Sequence, residues 1–317
     1  LPIKMPPVFV LEKQEQWYPP GFLILCALIP NKILNRWYWL LNHLVDLGSA
    51  LLIFFSSLYL GSNIYIAASA TILYAIMPGL ITEFSALNVR PFGLLLFNAF
   101  MFCSIWFVIE PNVTNILLVS LISILLFYSH KLSVQQLWFC LPVLAISFQQ
   151  PLWLLALLLI YSLSFIIWPI GAMKIIKGHY AIIHFWHRNW DKLGAHMVRQ
   201  SPIYGDGKTR TDFYSDESIF AYIRFAKDIL HQNYFIVPVA ISAMTQSIPF
   251  HGVYKILIIW IISVYVYGIA IHCIKLLRGI GLGRQYFKFA LFPSIVFCSV
   301  SLTQSNHIFL WSVSILA

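Results

Sequence analysis

Long apolar runs separated by short polar gaps cover almost the whole chain. They fall at about 21–34, 37–60, 63–80, 91–109, 114–129, 133–148, 151–171, 235–250, 252–274, 286–302 and 306–317. Runs of this length without strand-like alternation predict helices, and several approach the roughly 20 residues that a straight membrane crossing needs. The expected fold is all-α, a polytopic integral membrane helix bundle of about 10–11 membrane segments, with 21–34 open to a re-entrant or interfacial reading. A β-barrel is set aside, because its strands would read as alternating segments of roughly ten residues. Pro142, Pro169, Pro238 and Pro293 fall in or beside the runs and predict kinks, which a bundle tolerates when neighbours re-satisfy the freed backbone groups.

One polar region interrupts this pattern. Residues 172–234 hold enough charge for two amphipathic helices, at 174–192 and about 215–232, joined by the turn sequence SPIYGDGKTR. In the first, Ile175, Ile176, Ile182, Ile183, Phe185, Trp186 and Trp190 alternate with basic and His residues, as suits a helix lying in the headgroup layer. The chain therefore divides into an N-terminal transmembrane bundle with an interfacial start (1–171), membrane-surface helices with their loop (172–234) and C-terminal transmembrane helices (235–317).

Composition agrees with the membrane assignment: 60% of the 317 residues are hydrophobic and 10% charged, against roughly 25% charged in soluble domains. Alternating the helix directions gathers 1–20, 31–36, 81–90, 130–132, 172–234 and 275–285 on one face. The other face receives only short turns, at 61–62, 110–113, 149–150, 250–255 and 303–305. Every Lys and Arg except Lys255 lies in or beside the first set of gaps. The net charge of +9 is thus spread over helix ends and does not form a soluble basic patch, which argues against nucleic acid as a partner. The five cysteines lie in apolar runs without C-x-x-C spacing and are expected to be free thiols.

Candidate chemistry sits on the charged face. In ITEFSALNVRPFG, Glu83, Asn88 and Arg90 precede a helix expected to start at Pro91, whose free backbone N–H groups suit an anion. Glu83 can serve as base or metal ligand and Arg90 can hold a phosphate or carboxylate; a Glu–Arg pair closing the loop is the structural alternative. His130, Lys131, Ser133 and Gln135 share a helix junction where a His–Lys pair can grip a phosphate. The platform adds His179, Arg188, His196 and Tyr204 as candidate substrate contacts. Its H-x-x-H at 184–187 lacks a carboxylate partner, so no metal site is read there. Arg278 and Arg284 flank a glycine-rich turn at headgroup depth, where the guanidinium fork matches phosphate oxygens. Within the membrane, His43 and Asp46 lie three apart on one helical face, as a cleft floor or as a pair joining two helices.

The strings YPPGFLILCALIP, NHLVDL, SHKLSVQ, GHYAIIHFWHRNWDKLGAH with SPIYG, and GLGRQYFKFALFP resemble multispanning glycosyltransferases of the GT-C type, in their poorly characterised prokaryotic branch. The resemblance is spread over most of the chain in short pieces. It implies an enzyme that moves a sugar from a polyprenyl-phosphate donor to a lipid, glycan or protein acceptor by an inverting displacement, in a prokaryotic plasma membrane. Glu83, Asp46 and His43 would be catalytic, and Arg278, Arg284, Lys131 and Arg90 would hold the donor phosphate. Asn88, His130, Gln135, His179, Arg188, His196 and Tyr204 would contact substrate, and the cofactor stays open, a divalent metal ion included. In that class an acidic residue on the first large loop is base or metal ligand; only Glu12 and Glu15 remain there. The chain is accordingly expected to be cut at its N-terminus, where it starts at Leu1. The resemblance places the charged face outside the cytoplasm, although the positive-inside rule taken alone places it inside. A phosphate-binding face needs its cations on either side, and the extracytoplasmic placement is favoured. A lipid or polysaccharide transporter or flippase, and a structural subunit of a larger membrane complex, are the alternatives. A transporter would show related halves, and no internal symmetry is evident.

Overall fold

The computed structural model describes residues 18–77, 80–81, 88–189, 226–227, 229–244, 252–281 and 283–305. Its described elements are helical in chain order: α1 (Gly21–Ala27), α2 (Asn31–Tyr59), α3 (Ile64–Ala75), α4 (Val89–Ile109), α5 (Val113–Ser129), α6 (Lys131–Phe148), α7 (Leu152–Ile167), α8 (Pro169–Asn189), α9 (Ile236–Met244), α10 (Gly252–Cys273), two 3-10 segments (Lys275–Ile280 and Gly283–Ala290) and α11 (Leu291–Ser305). Four helices, α2, α4, α6 and α10, are long and apolar enough to cross a membrane, as is the continuous stretch Gly283–Thr303. Helices α3, α5 and α7 are equally apolar but shorter. The protein is an integral membrane helix bundle, as the hydropathy pattern predicts.

Asparagine caps start three of these helices, each accepting a backbone N–H that the first turn would otherwise leave unpaired. Asn63 Oδ1 accepts from Ile66 N at 2.9 Å, Asn112 Oδ1 from Asn115 N at 2.9 Å and Asn88 Oδ1 from Arg90 N at 3.1 Å. The last of these starts α4 at Val89, two residues earlier than Pro91, because extended Asn88 and not the proline opens the helix. The expected segment 21–34 is divided: α1 stops at Ala27, and Pro30 opens α2 at Asn31. Helix α6 ends at Gln149, which takes the left-handed conformation at φ 52°.

The segments before and after the platform form one bundle. Phe97 of α4 meets Phe289 at 4.6 Å and Trp260 of α10 at 5.9 Å between ring centroids, and Trp260 meets Phe292 at 5.7 Å. Helix α11 packs against α2, α3 and α10. On the face of short turns, Thr303 bonds Ser62 at 3.2 Å and the Asn63 N–H at 3.3 Å. Lys255 lies over the Phe148 ring at 5.1 Å on the same face. The two 3-10 segments are held by close backbone approaches. A Cβ on Gly283 would collide with the Gly268 carbonyl of α10, and one on Gly279 would meet the Ile183 carbonyl of α8 at 2.9 Å. The chain therefore lies against α8 and then crosses α10 at positions where only glycine fits. Beyond the platform, residues 229–232 are helical, and buried Asn233 donates to Tyr265 at 3.1 Å and to Ser294 at 2.9 Å. Most of the second amphipathic helix expected at 215–232 lies outside the described residues.

Candidate functional site: a buried cationic cluster

Helix α5 ends and α6 begins on a single residue. His130 has extended backbone angles (φ −148°, ψ 114°) and caps both helices. Its N–H reaches back to Leu126 O and its carbonyl accepts from Val134 N. The corner turns the imidazole into the bundle, where it is 1% exposed. The Nδ1 edge presses on α4, since a Cβ on Gly93 would overlap the ring there. Nδ1 is 2.8 Å from Ser133 Oγ, and that hydroxyl donates to the Gly93 carbonyl at 2.9 Å. His130 Nε2 is buried and has no hydrogen-bond partner among the described residues.

Three positive charges act on this ring. Burial is the largest cause that holds the imidazole well below its ordinary value, followed by the charges of Lys288, Arg90 and Lys131. These three come from the segment Gly283–Ala290, the first turn of α4 and the first turn of α6. Lys288 is 3% exposed. Lys131 lies over the Tyr18 ring at 5.8 Å. Burial pushes the Tyr18 phenol up to about 12, with Arg90 opposing. His179 of α8 stacks on Trp138 at 6.1 Å, and burial assisted by Lys131 pushes it down to about 4. On the far wall, Gln135 accepts from the Tyr286 hydroxyl at 2.8 Å. Like charges raise each other's energy, so cations that act on one buried ring in an apolar bundle are costly and need compensation.

Of the residues singled out from sequence, Arg90, His130 and Lys131 interact electrostatically here, with His179 beyond Lys131, while Gln135 is engaged by Tyr286. Asn88 is close in sequence, but its side-chain oxygen is occupied as the α4 cap. His43 and Asp46 lie elsewhere: His43 packs on Trp39 at 5.7 Å, and Asp46 is tied to His43 and Tyr74 on the α2–α3 side, with no described interaction with the cluster. Arg188 is exposed at the end of α8, and Arg284 is half-buried one turn before Lys288. Glu83, His196, Tyr204 and the side chain of Arg278 lie outside the described residues. No group of three or more His, Cys, Asp or Glu that could hold a metal is found among the described residues. From sequence, Lys288 groups with Lys275, Arg278 and Arg284 at a helix end but is not singled out as a site residue, and Tyr18 and Gly93 are not singled out at all. For Lys288 the signal was present: a lysine inside an apolar run is costly and needs a reason.

Beside α4, an open apolar groove of about 730 Å³ runs along α2, lined by Gly48, Leu51, Phe55, Leu95, Phe102 and Trp106. Leu95 follows Arg90 by five residues, so the groove's near end is roughly 7.5 Å along the helix axis from the guanidinium-bearing turn. Comparison with family models, curated proteins and solved structures returned no match.

Proposed function

We propose that the protein is a membrane glycosyltransferase that receives the phosphate of a polyprenyl-phosphate sugar in the Arg90–Lys131–Lys288 cluster and transfers the sugar by inverting displacement. One observation supports the reading: the charges of three cationic side chains from three separate elements act on one buried imidazole, at the junction of α5 and α6. Charge-assisted hydrogen bonds from such groups suit phosphate oxygens, and in a low-dielectric setting they stabilise the second negative charge that grows on the leaving phosphate. The apolar groove beside α4 suits an isoprenoid chain, and the GT-C-like strings supply the reaction class. The charged face is placed outside the cytoplasm of a prokaryotic cell, Glu83 is the candidate base, and Arg284 and Arg278 extend the phosphate site along the glycine-rich turn.

The test is donor consumption by the purified protein in lipid nanodiscs against a panel of polyprenyl-phosphate sugars, with binding measured separately. A charge-assisted contact contributes on the order of 1.5–3 kcal/mol, so Lys131→Ala and Arg284→Ala should each weaken donor binding roughly ten- to a hundredfold. Arg284→Lys should recover only part, since lysine lacks the bidentate fork. If both alanine variants keep the parent's affinity for every donor, the site is misassigned. Movement of a lipid across the bilayer without consumption would favour a flippase.

A further inference from the structure

The groove between α2 and α4 is apolar except for two polar groups near one end. Ser56 of α2 lines it and is fully buried, and its Oγ has no hydrogen-bond partner among the described residues. Trp106 of α4 also lines it, and its buried Nε1 is in the same position. The indole is fixed by Tyr59, edge-on at 5.2 Å, and by Phe102 at 4.9 Å between ring centroids. An indole N–H can only donate, and a serine hydroxyl can donate as well as accept, so what is missing is an acceptor. A buried donor without one is unfavourable, above all in a membrane, where water does not stand in.

Depth identifies the acceptor. Ser56 lies three residues inside the end of α2 at Tyr59, and Trp106 three inside the end of α4 at Ile109, about 4.5 Å of helix rise from the short turns. The headgroup layer is roughly 5–7 Å deep on each side of the hydrocarbon core. Both donors therefore sit at the level where lipid ester linkages join headgroup to chain. Leu51 and Phe55, exposed on the groove's edge, open it to the bilayer, and the apolar lining continues inward to Gly48 and Leu95, roughly 12–16 Å of helix rise. A partner's transmembrane helix spends its carbonyls on its own N–H groups, and an isoprenoid chain carries no oxygen along its length. An esterified acyl chain supplies a carbonyl at its head and hydrocarbon behind it. We infer that the α2–α4 groove binds a diester glycerolipid from the leaflet on the short-turn face, with one acyl chain running toward Gly48 and its ester carbonyl accepting from Trp106 Nε1 and Ser56 Oγ. These donors lie at the opposite end of α4 from Arg90, so the lipid site does not depend on the proposed transfer. A donor whose isoprenoid chain entered from the Arg90 end would have to displace the acyl chain.

The experiment titrates the purified protein in detergent micelles with two phosphatidylcholines of identical headgroup and chain length, one diester and one diether, and follows retained lipid by native mass spectrometry. The parent should hold one diester molecule about tenfold more tightly than the diether, the scale of two ordinary hydrogen bonds. Trp106→Phe keeps an aromatic ring and removes the N–H; it should cut the preference at least about threefold while leaving diether affinity within about twofold of the parent. Ser56→Ala should act in the same direction. Ala99→Leu, which fills the groove, should abolish the tight site for both lipids. Equal affinity for the two lipids in the parent overturns the assignment, as does a full diester preference in both donor variants or a surviving tight site in a folded Ala99→Leu. Should Ala99→Leu not fold, the parent and Trp106→Phe decide. A polyprenyl-phosphate sugar that occupies the parent and that excess diester cannot displace, its affinity dropping in Ala99→Leu, would assign the groove to the isoprenoid chain, sinking this inference and leaving the proposed function standing. Absence of any donor binding beside an intact, Trp106-dependent diester preference would do the converse.

Discussion

Gly93 shows how closely a single position controls the site. It faces the ring of His130 with no room for a Cβ, and its carbonyl receives the Ser133 proton. Inserting one methyl here must displace the imidazole or part α4 from the α5–α6 corner, an overpacking cost of about 1–3 kcal/mol. Gly93→Ala should lower the thermal midpoint and weaken anion binding together. Gly48→Ala is the comparison, because its new methyl meets only the mobile Leu95 side chain, at 3.1 Å; equal damage from the two substitutions would show that the ring contact is unimportant. The histidines also give the fold a defined response to acid. In the unfolded chain each takes up a proton near 6.5, whereas in the fold His130 titrates well below that value and His179 near 4. The unfolded state therefore binds more protons in this window, and stability rises with pH there. The thermal midpoint should hold above about pH 6.5 and fall between there and pH 4. His179→Asn should remove part of the slope, and a midpoint flat across that range would contradict the assigned burial of both rings.

At the scale of elements, the positions of helices were largely legible and their packing was not. The runs at 91–109, 114–129, 133–148 and 252–274 correspond to α4, α5, α6 and α10 within a few residues, since a long apolar stretch has few alternatives in a membrane. The gap grouping also matches the contacts seen: Tyr18, Arg90, His130, Lys131 and His179 meet on the charged face, and Ser62 and Thr303 meet on the other. What sequence could not convey is the crossing of Gly268 and Gly283, because close approach of two backbones depends on partners distant in the chain. In the glycine-rich turn between Arg278 and Arg284, Gly283 makes room for α10. The segment it admits carries Tyr286 and Lys288 into the site. Gly283→Ala should accordingly reduce stability and, on the proposed function, affinity for a polyprenyl-phosphate sugar; retention of full affinity in a destabilised variant would uncouple the crossing from the proposed site.

For the whole molecule, buried Lys288 has a consequence for how the protein is made. The stretch Gly283–Thr303 has a mean hydropathy of 1.4, against 2.2 for α10, and it contains this charge near its start. A lysine at the centre of a span opposes membrane insertion by about 2.5–3.5 kcal/mol, and less nearer the interface. The stretch is poorly suited to partition into the bilayer alone. Of the residues in its most apolar window, 94% are buried within the bundle, so in the fold it packs against protein. Biogenesis should then be cooperative: α10 leaves the translocon and holds the following segment through the Gly268 crossing until both settle as a hairpin. In a glycosylation-mapped insertion assay, residues 283–305 fused to a reporter should integrate inefficiently, 252–305 should integrate well, and Lys288→Leu should relieve the dependence on α10. Efficient integration of the isolated parent segment would show that the lysine is no barrier. The residue that brings positive charge to the site would then also set the order in which the last two spans enter the membrane, linking ligand recognition to assembly through a single side chain.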